Sequence, residues 1–369
     1  MCALPLKIVI AGPLGSSGGL EVHTGELELF LVSQGHRVLR INIISQNSSN
    51  GNAYRHISIS NVAGTKGKVY KVFDWLKACF LTRLFAPDLL ISTAIGSGYK
   101  WLSLFAGSRT FRIVQIVTDD YPHNDAGMLS LVQAYDAVAA QTSILKDQVR
   151  AKISPTVSCR VLPCFHQIHP ASRESILPQT LPGEIRLAYF GRLAGNKGLS
   201  LLLDAWAQLN FSPLPKLDIW GSGNLLSNLE EKVRITSSLS SSVTLKGPYP
   251  CGPEYIKLLS SYQGLVLPSQ STEGLPLVLL EAASVGLPIL TSTVGGIPDF
   301  ANGNPDVIMV DIGLQSLAIG LNNFICFIHN GDKFDRSRHK SLFLRQYSRP
   351  AIESAWSRVL HSPSSFFSA

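Results

Sequence analysis

The strongest constraint is one plan used twice: a short apolar run, a glycine-bearing loop, then apolar residues at helical spacing. The first copy is "KIVIAGPLGSSGGLEVHTGELELFLVSQGHRVLRINII". Its apolar run from Ile8 to Ala11 ends at Gly12 and Pro13. Leu27, Phe30 and Leu31 then recur at helical spacing, and Gly35 ends the helix before "HRVLRINII". The second copy is "IRLAYFGRLAGNKGLSLLLDAWAQL". A strand–helix–strand unit implies a parallel sheet, because parallel neighbours need a crossover. "PDLLIST", "RIVQIVT", "AVAAQT" and "CRVLP" continue the first cycle; "KLDIWGSG", "VTLKGPY", "GLVLPS" and "LPILTS" continue the second. The expected class is α/β, with two similar doubly wound halves. The 369 residues suffice for two cores. The stretch "HQIHPASRESILPQTLPGE", rich in proline and polar residues, reads as their linker and sets the boundary near residues 172 and 173.

Composition narrows the function. Hydrophobic residues make up 45% of the chain and charged ones 15%, which suits much buried strand. No apolar run is long enough to span a bilayer; "CFLTRLFAPDLLIS" is broken by Arg83, Pro87 and Asp88. No positive region precedes the first apolar residues, so a signal peptide is not expected and the cytoplasm is the default location. Cys2, Cys79, Cys159, Cys164, Cys251 and Cys326 are scattered, with no CxxC and no zinc spacing, which predicts a reduced compartment and no structural metal. The net charge of +7 points to an anionic partner, either a phosphorylated substrate or anionic lipid headgroups. Nucleic acid is not expected, since the basic residues are dispersed and no recognition motif is present.

Three segments hold groups that can do chemistry. In "GPLGSSGGLEVH", glycines 12, 15, 18 and 19 lie between strand and helix, where backbone N–H groups can approach a phosphate or simply form a tight turn. In "GRLAGNKG", Arg192 and Lys197 sit at a strand end and helix entrance, where two cations can converge on one dianion. In "STEGLPLVLLEAASVGLPIL", Glu273 and Glu281 bracket seven residues. Ser271, Thr272 or Glu273 would cap a helix with Pro276 in its first turn, ending at Gly286. The two carboxylates would then stand about 12 Å apart along the axis, with helix-start donors of residues 275 to 278 between them. A ligand with hydroxyls at both ends and negative charge in the middle, such as a sugar nucleotide, matches that layout.

The order of "GRLAGNKGLSLLLDAW", "LDIWGSGNLLSNLEE", "VTLKGPY" and "PSQSTEGLPLVLLEAASVGLPILTSTVGGIPD" resembles family 4 glycosyltransferases, retaining enzymes of GT-B fold. "SGGLEVHTGELELFLVSQGHRV" resembles the N-terminal loop and helix of the same family. The resemblance implies two Rossmann-like domains facing a central cleft: an acceptor side at 1–172 with a returning helix at about 350–369, and a donor side at 173–349. Arg192 and Lys197 would hold the donor diphosphate without a metal or other cofactor. Glu281 would bind the ribose hydroxyls, Glu273 would face the transferred sugar, and Gly274, Leu275, Pro276 and Leu277 would meet sugar hydroxyls and phosphate. Gly18 and Gly19 would close over the phosphates. The leaving phosphate would itself take the acceptor proton, with attack on the face it departs from.

Two departures from that pattern stand out. "IVQIVTDDYPH" offers Asp119 and Asp120 where many members have His-Asp, with His123 a few residues later; Asp119 contacts sugar or acceptor, or is a strand-end cap. "GGIPD" has Asp299 where a glutamate is common. The implied activity is transfer of a hexose from a UDP- or GDP-sugar to a glycan or lipid-linked glycan in cell-surface polysaccharide or lipopolysaccharide synthesis, at the inner face of the plasma membrane. The alternatives are a GT-B nucleotide-sugar epimerase or phosphorylase, and a non-catalytic nucleotide-sugar-binding subunit.

Overall fold

Short runs of Ile, Val, Leu and Ala, each stopped by a turn residue, become the strands of two wholly parallel sheets. The computed structural model describes residues 4–14, 19–44, 56–60, 65–118, 125–168, 184–271, 273–330 and 335–368. Its contacts divide the chain into one unit of Met1–Gln167 with Arg349–Ala369 and another of Ile168–Ser348. The first division thus falls five residues before the boundary expected from the linker composition.

Among the described residues the first unit has seven strands: β1 (Lys7–Leu14), β2 (Arg37–Ile44), β3 (His56–Ser60), β4 (Leu89–Ser92), β5 (Phe111–Ile116), β6 (Ala137–Ala140) and β7 (Cys159–Val161). Their order is β3-β2-β1-β4-β5-β6-β7. The second has six: β8 (Arg186–Phe190), β9 (Lys216–Trp220), β10 (Val243–Gly247), β11 (Gly264–Leu267), β12 (Ile289–Ser292) and β13 (Val307–Val310), in the order β10-β9-β8-β11-β12-β13. Helices cover both faces, which is why β4, β6, β11 and β12 are buried at every position instead of alternating. Each sheet reverses its winding at one place, between β1 and β4 and between β8 and β11. Open α/β sheets bind ligands beyond the carboxyl ends of strands at such a point.

The strand period sorts the core of the first unit. Ile8 and Ile10 pack with Leu27, Phe30, Phe165 and Trp356 on one side, while Val9 and Ala11 pack with Trp75 and Tyr99 on the other. The helix Arg349–His361 belongs to this packing: Trp356 is fully buried and donates its indole N–H to the Pro163 carbonyl at 3.0 Å. Arg349 bonds Glu26 at 2.6 Å. In the second unit a single core joins Tyr189, Phe190, Trp206, Leu279 and Phe324.

Two strand readings are corrected. β1 does not stop at Ala11; Gly12, Pro13 and Leu14 stay paired with Asn42, Ile43 and Ile44. Gly12 is there for space, since a Cβ would stand 2.0 Å from Thr93 Oγ1. β3 and β13, each at a sheet edge, were not among the strands read from the sequence. "HISIS" alternates polar and apolar residues, and "VIMV" is a four-residue run between loop residues, so neither has the long apolar signal of a central strand.

Candidate functional site

The loop after β8 holds one face of the site. Gly191, Gly198 and Gly221 all have left-handed φ values. At Gly198, with φ +70°, a Cβ would stand 2.0 Å from the Pro268 carbonyl oxygen beyond β11. The Gln270 N–H donates to the Asn196 carbonyl at 2.8 Å, a second tie between the same loops. Between these contacts the short turn Gly195–Lys197 points Lys197 across the reversal point. Its ammonium is ion-paired to Glu273 Oε1, and the Ser269 hydroxyl donates to the same oxygen at 2.7 Å. Glu273 is therefore a buried, doubly bonded carboxylate, 7% exposed. Arg192 lies on the same loop but is exposed, its carbonyl accepting the Tyr189 hydroxyl at 2.8 Å.

The loop after β12 fixes the backbone of Glu273. Gly295 has φ +54°, and a Cβ there would stand 1.8 Å from the Glu273 carbonyl oxygen. The Gly296 N–H reaches the carbonyls of Glu273 and Gly274 at 3.1 Å each. "GG" in "VGGIPD" is thus a backbone seat for the acidic loop. Asp299 follows in the first turn of the helix Ile297–Ala301.

The helix expected around Glu281 begins later than the sequence suggested. It spans Leu277–Ser284 with Pro276 as its N-cap and no side-chain cap, so neither Ser271 nor Glu273 caps it, and Thr272 lies outside the described residues. The first-turn donors accordingly start at Leu277, not at Leu275. Gly274 and Leu275 are buried in the approach to the helix, while Pro276 and Leu277 are partly exposed at its mouth. The helix ends as expected. Gly286 has φ +68°, Leu287 N–H bonds the Ala282 carbonyl at 2.8 Å and Gly286 N–H that of Ala283 at 3.0 Å, a Schellman ending.

Glu281, inside this helix, accepts the Tyr255 hydroxyl at 2.8 Å. Burial pushes its carboxyl up to about 7, and the Tyr255 hydrogen bond works against that rise. Tyr255 and Tyr249 lie ring to ring at 5.1 Å, and Tyr249 meets Phe190 edge-on at 5.3 Å. Phe190 in turn stacks on Trp220. Tyr249 keeps 38% of its surface exposed at the mouth of this aromatic cluster. Ser269, Tyr249 and Tyr255 were missed from the sequence. A tyrosine two residues beyond a strand that ends in Gly, as in "KGPY", is the signal that could have found Tyr249.

Gly18, Asp119, Asp120 and His123 lie outside the described residues; Gly19 is the exposed first residue of the helix Gly19–Ser33. That helix buries a histidine the sequence reading did not single out. Phe165 N–H donates to His23 Nδ1 at 2.8 Å, so the proton sits on Nε2, which donates to Gln115 Oε1 at 2.6 Å. Burial pushes His23 down to about 4, and both nitrogens are satisfied, so the ring serves packing. Among the described residues no cluster of three His, Cys, Asp or Glu is placed to hold a metal ion, and no helix is long and apolar enough to cross a membrane. The five described cysteines are unpaired with one another. What the second unit does offer is a cation paired with one carboxylate, a second carboxylate bonded to a tyrosine, and an open aromatic edge at one sheet's winding reversal.

The stretch of chain that holds these groups also matches known proteins. Residues 184–324 match the family model described as glycosyl transferases group 1. Over 215 residues the chain is 29% identical to a Bacillus subtilis (strain 168) protein assigned to teichuronic acid biosynthesis as the glycosyltransferase TuaC, covering 55% of this chain and 51% of that one. Over 193 residues it is 25% identical to the UDP-N-acetylglucosamine–peptide N-acetylglucosaminyltransferase GtfA subunit of Streptococcus gordonii, covering 49% and 37%. The chain thus spans about half or less of these two relatives. Among solved structures, the lipopolysaccharide outer core galactosyltransferase WaaB superposes with TM-score 0.74 at 18% identity, covering 97% of this chain and 100% of that one. Anabaena HepE with UDP and glucose superposes with TM-score 0.72 at 17% identity, with the same coverage. Residues 184–324 therefore carry a glycosyl transferases group 1 segment, and the chain has the GT-B fold.

Proposed function

We propose that the chain is a glycosyltransferase that moves a hexose from a UDP- or GDP-sugar to a hydroxyl of a glycan or lipid-linked glycan, with retention at the anomeric carbon and no metal. One observation carries this reading: Lys197 and Glu273 meet across the β8–β11 reversal, with Glu281 one helix further on, inside the segment that matches the family. The second unit is the donor side and the first the acceptor side. In this reading Glu273 holds Lys197 aimed inward until a diphosphate takes the ammonium over, and Glu273 then faces the hexose. Arg192, exposed on the same loop, supplies a second cation to the phosphates. Glu281, once ionised, accepts two ribose hydroxyls, and Tyr249 offers a face to the base. Gly274 to Leu277 meet the sugar hydroxyls and phosphate.

Bond making follows from that placement. The acceptor oxygen attacks the anomeric carbon on the face the diphosphate leaves, and its proton passes to the departing phosphate oxygen. Lys197 and Arg192 stabilise the charge that grows on that oxygen, so positioning and electrostatics supply the acceleration. Asp119 is retained as a candidate for sugar or acceptor contact. One relative named for teichuronic acid biosynthesis and one structural neighbour named for the lipopolysaccharide outer core support an acceptor in cell-surface polysaccharide synthesis.

The test is transfer from UDP- and GDP-hexoses to a membrane or glycan acceptor fraction, with EDTA present throughout. Transfer of labelled hexose with the donor's anomeric configuration kept is expected. Activity lost in EDTA and restored by manganese overturns the metal-free mechanism, and release of a free epimerised sugar without glycan product overturns the transferase.

A further inference from the structure

Two helices of the first unit are apolar on both of their faces. In Thr65–Phe85, Trp75, Ala78, Cys79 and Thr82 are buried against the sheet. Phe73, Leu76, Phe80 and Leu84 recur three and four residues apart on the opposite face and stand exposed, Phe80 by 67% and Leu84 by 71%. In Ser97–Phe105, Tyr99 and Leu102 point inward while Trp101, Leu104 and Phe105 are exposed. The outward rows meet: Leu76, Phe80, Leu104 and Phe105 wall one groove of about 630 Å³ that also takes in Arg83 and Arg112. Isolated exposed apolar residues are ordinary on a protein surface, but a continuous double row marks an interaction site.

Charge says what covers it. The segment 71–85 holds Lys71, Lys77 and Arg83 against the single acid Asp74. The segment 97–112 adds Lys100, Arg109 and Arg112 and no acid. Arg112 is held at the groove by Asp136 at 3.1 Å and by the Ser103 carbonyl at 2.9 Å. Lys77, Arg83 and Arg109 are exposed. Aromatic and leucine tips flanked by lysine and arginine suit the headgroup level of an anionic bilayer, where apolar residues reach the acyl boundary and cations stay with phosphates. No described helix is long and apolar enough to cross, so such a face would lie on a bilayer and not span it.

We propose that the outward face of Thr65–Phe85 and Ser97–Phe105 docks the chain onto bilayers that contain anionic lipid. The proposal does not depend on the transferase reading, and its test uses no sugar nucleotide. The full-length chain is sedimented with vesicles of phosphatidylcholine alone and of phosphatidylcholine with about one third phosphatidylglycerol. Binding to the anionic vesicles only is expected, weakening as salt is raised. Phe80→Ser with Leu84→Ser, both exposed, should keep the melting temperature and lower vesicle affinity at least tenfold; Lys77→Glu with Arg83→Glu should do the same at low salt. A wild-type chain that stays in the supernatant with every lipid overturns the proposal, as does a Phe80→Ser, Leu84→Ser variant that binds like wild type. A wild-type dimer in sedimentation velocity, abolished by those serines and unaffected by vesicles, assigns the face to a second copy and also overturns it.

Discussion

Lys197 and Glu273 form an ion pair at the heart of the candidate site, so a change at either is felt at the other. Removing the ammonium leaves Glu273 buried, with the Ser269 hydroxyl still donating to it. Lys197→Ala should therefore cost roughly 1–3 kcal/mol in urea unfolding, the range for a buried acceptor that loses a charged partner. The same variant should lower turnover at saturating donor at least about tenfold, because diphosphate stabilisation is lost as well. A double-mutant cycle with Glu273→Gln separates the effects: the stability costs should fall well short of additive.

Glu281 sets a pH dependence. Its folded value, about 7, lies above the ordinary 4.5, so the folded chain holds an extra proton between these values. The contribution of this group to stability is present below about 4.5 and lost as pH rises through 7. Accepting ribose hydroxyls needs the ionised form, so UDP affinity should rise between pH 6 and 8. In Glu281→Gln, which cannot ionise, that rise should flatten to what the nucleotide's own phosphate contributes; an unchanged slope would remove Glu281 from the ribose role.

At the scale of elements, three loops beyond β8, β11 and β12 are laced together by backbone approach. The spacing of Glu273 and Glu281 was legible because strand, turn and helix periods put one acid before a helix and the other inside it. The capping was not. Pro276 with its extended ψ caps the helix three residues after the nearest polar candidate, and the acid's support comes from Gly295 and Gly296 on another loop. Such long-range backbone contacts leave no local pattern in a single sequence. Gly295→Ala is the sharp test of this element. Positive φ and a Cβ 1.8 Å from the Glu273 carbonyl should together cost at least about 2 kcal/mol in unfolding. It should also weaken nucleotide binding, while Gly303→Ala, with positive φ and open space around its Cβ position, should cost stability alone.

For the whole molecule, most of the architecture was legible, since eleven of the thirteen described strands follow the repeated plan and central ones are buried throughout. Edge strands β3 and β13 were not, because a strand with one neighbour needs less apolar surface. The helix bearing Trp356 returns to pack on β1, β5 and β6 side chains through contacts nearly two hundred residues apart in sequence, as between Trp356 and Pro163. The resemblance implied that return; periodicity by itself did not.

The central claim is that a nucleotide is held at the β8–β11 reversal of the second unit. Calorimetric titration of UDP and GDP into wild type and into Glu281→Ala, each checked for an unchanged melting transition, tests it most directly. One saturable site for at least one nucleotide, weakened about tenfold or more in the variant, is predicted. Absence of binding by wild type, or equal affinity in both proteins, would contradict it.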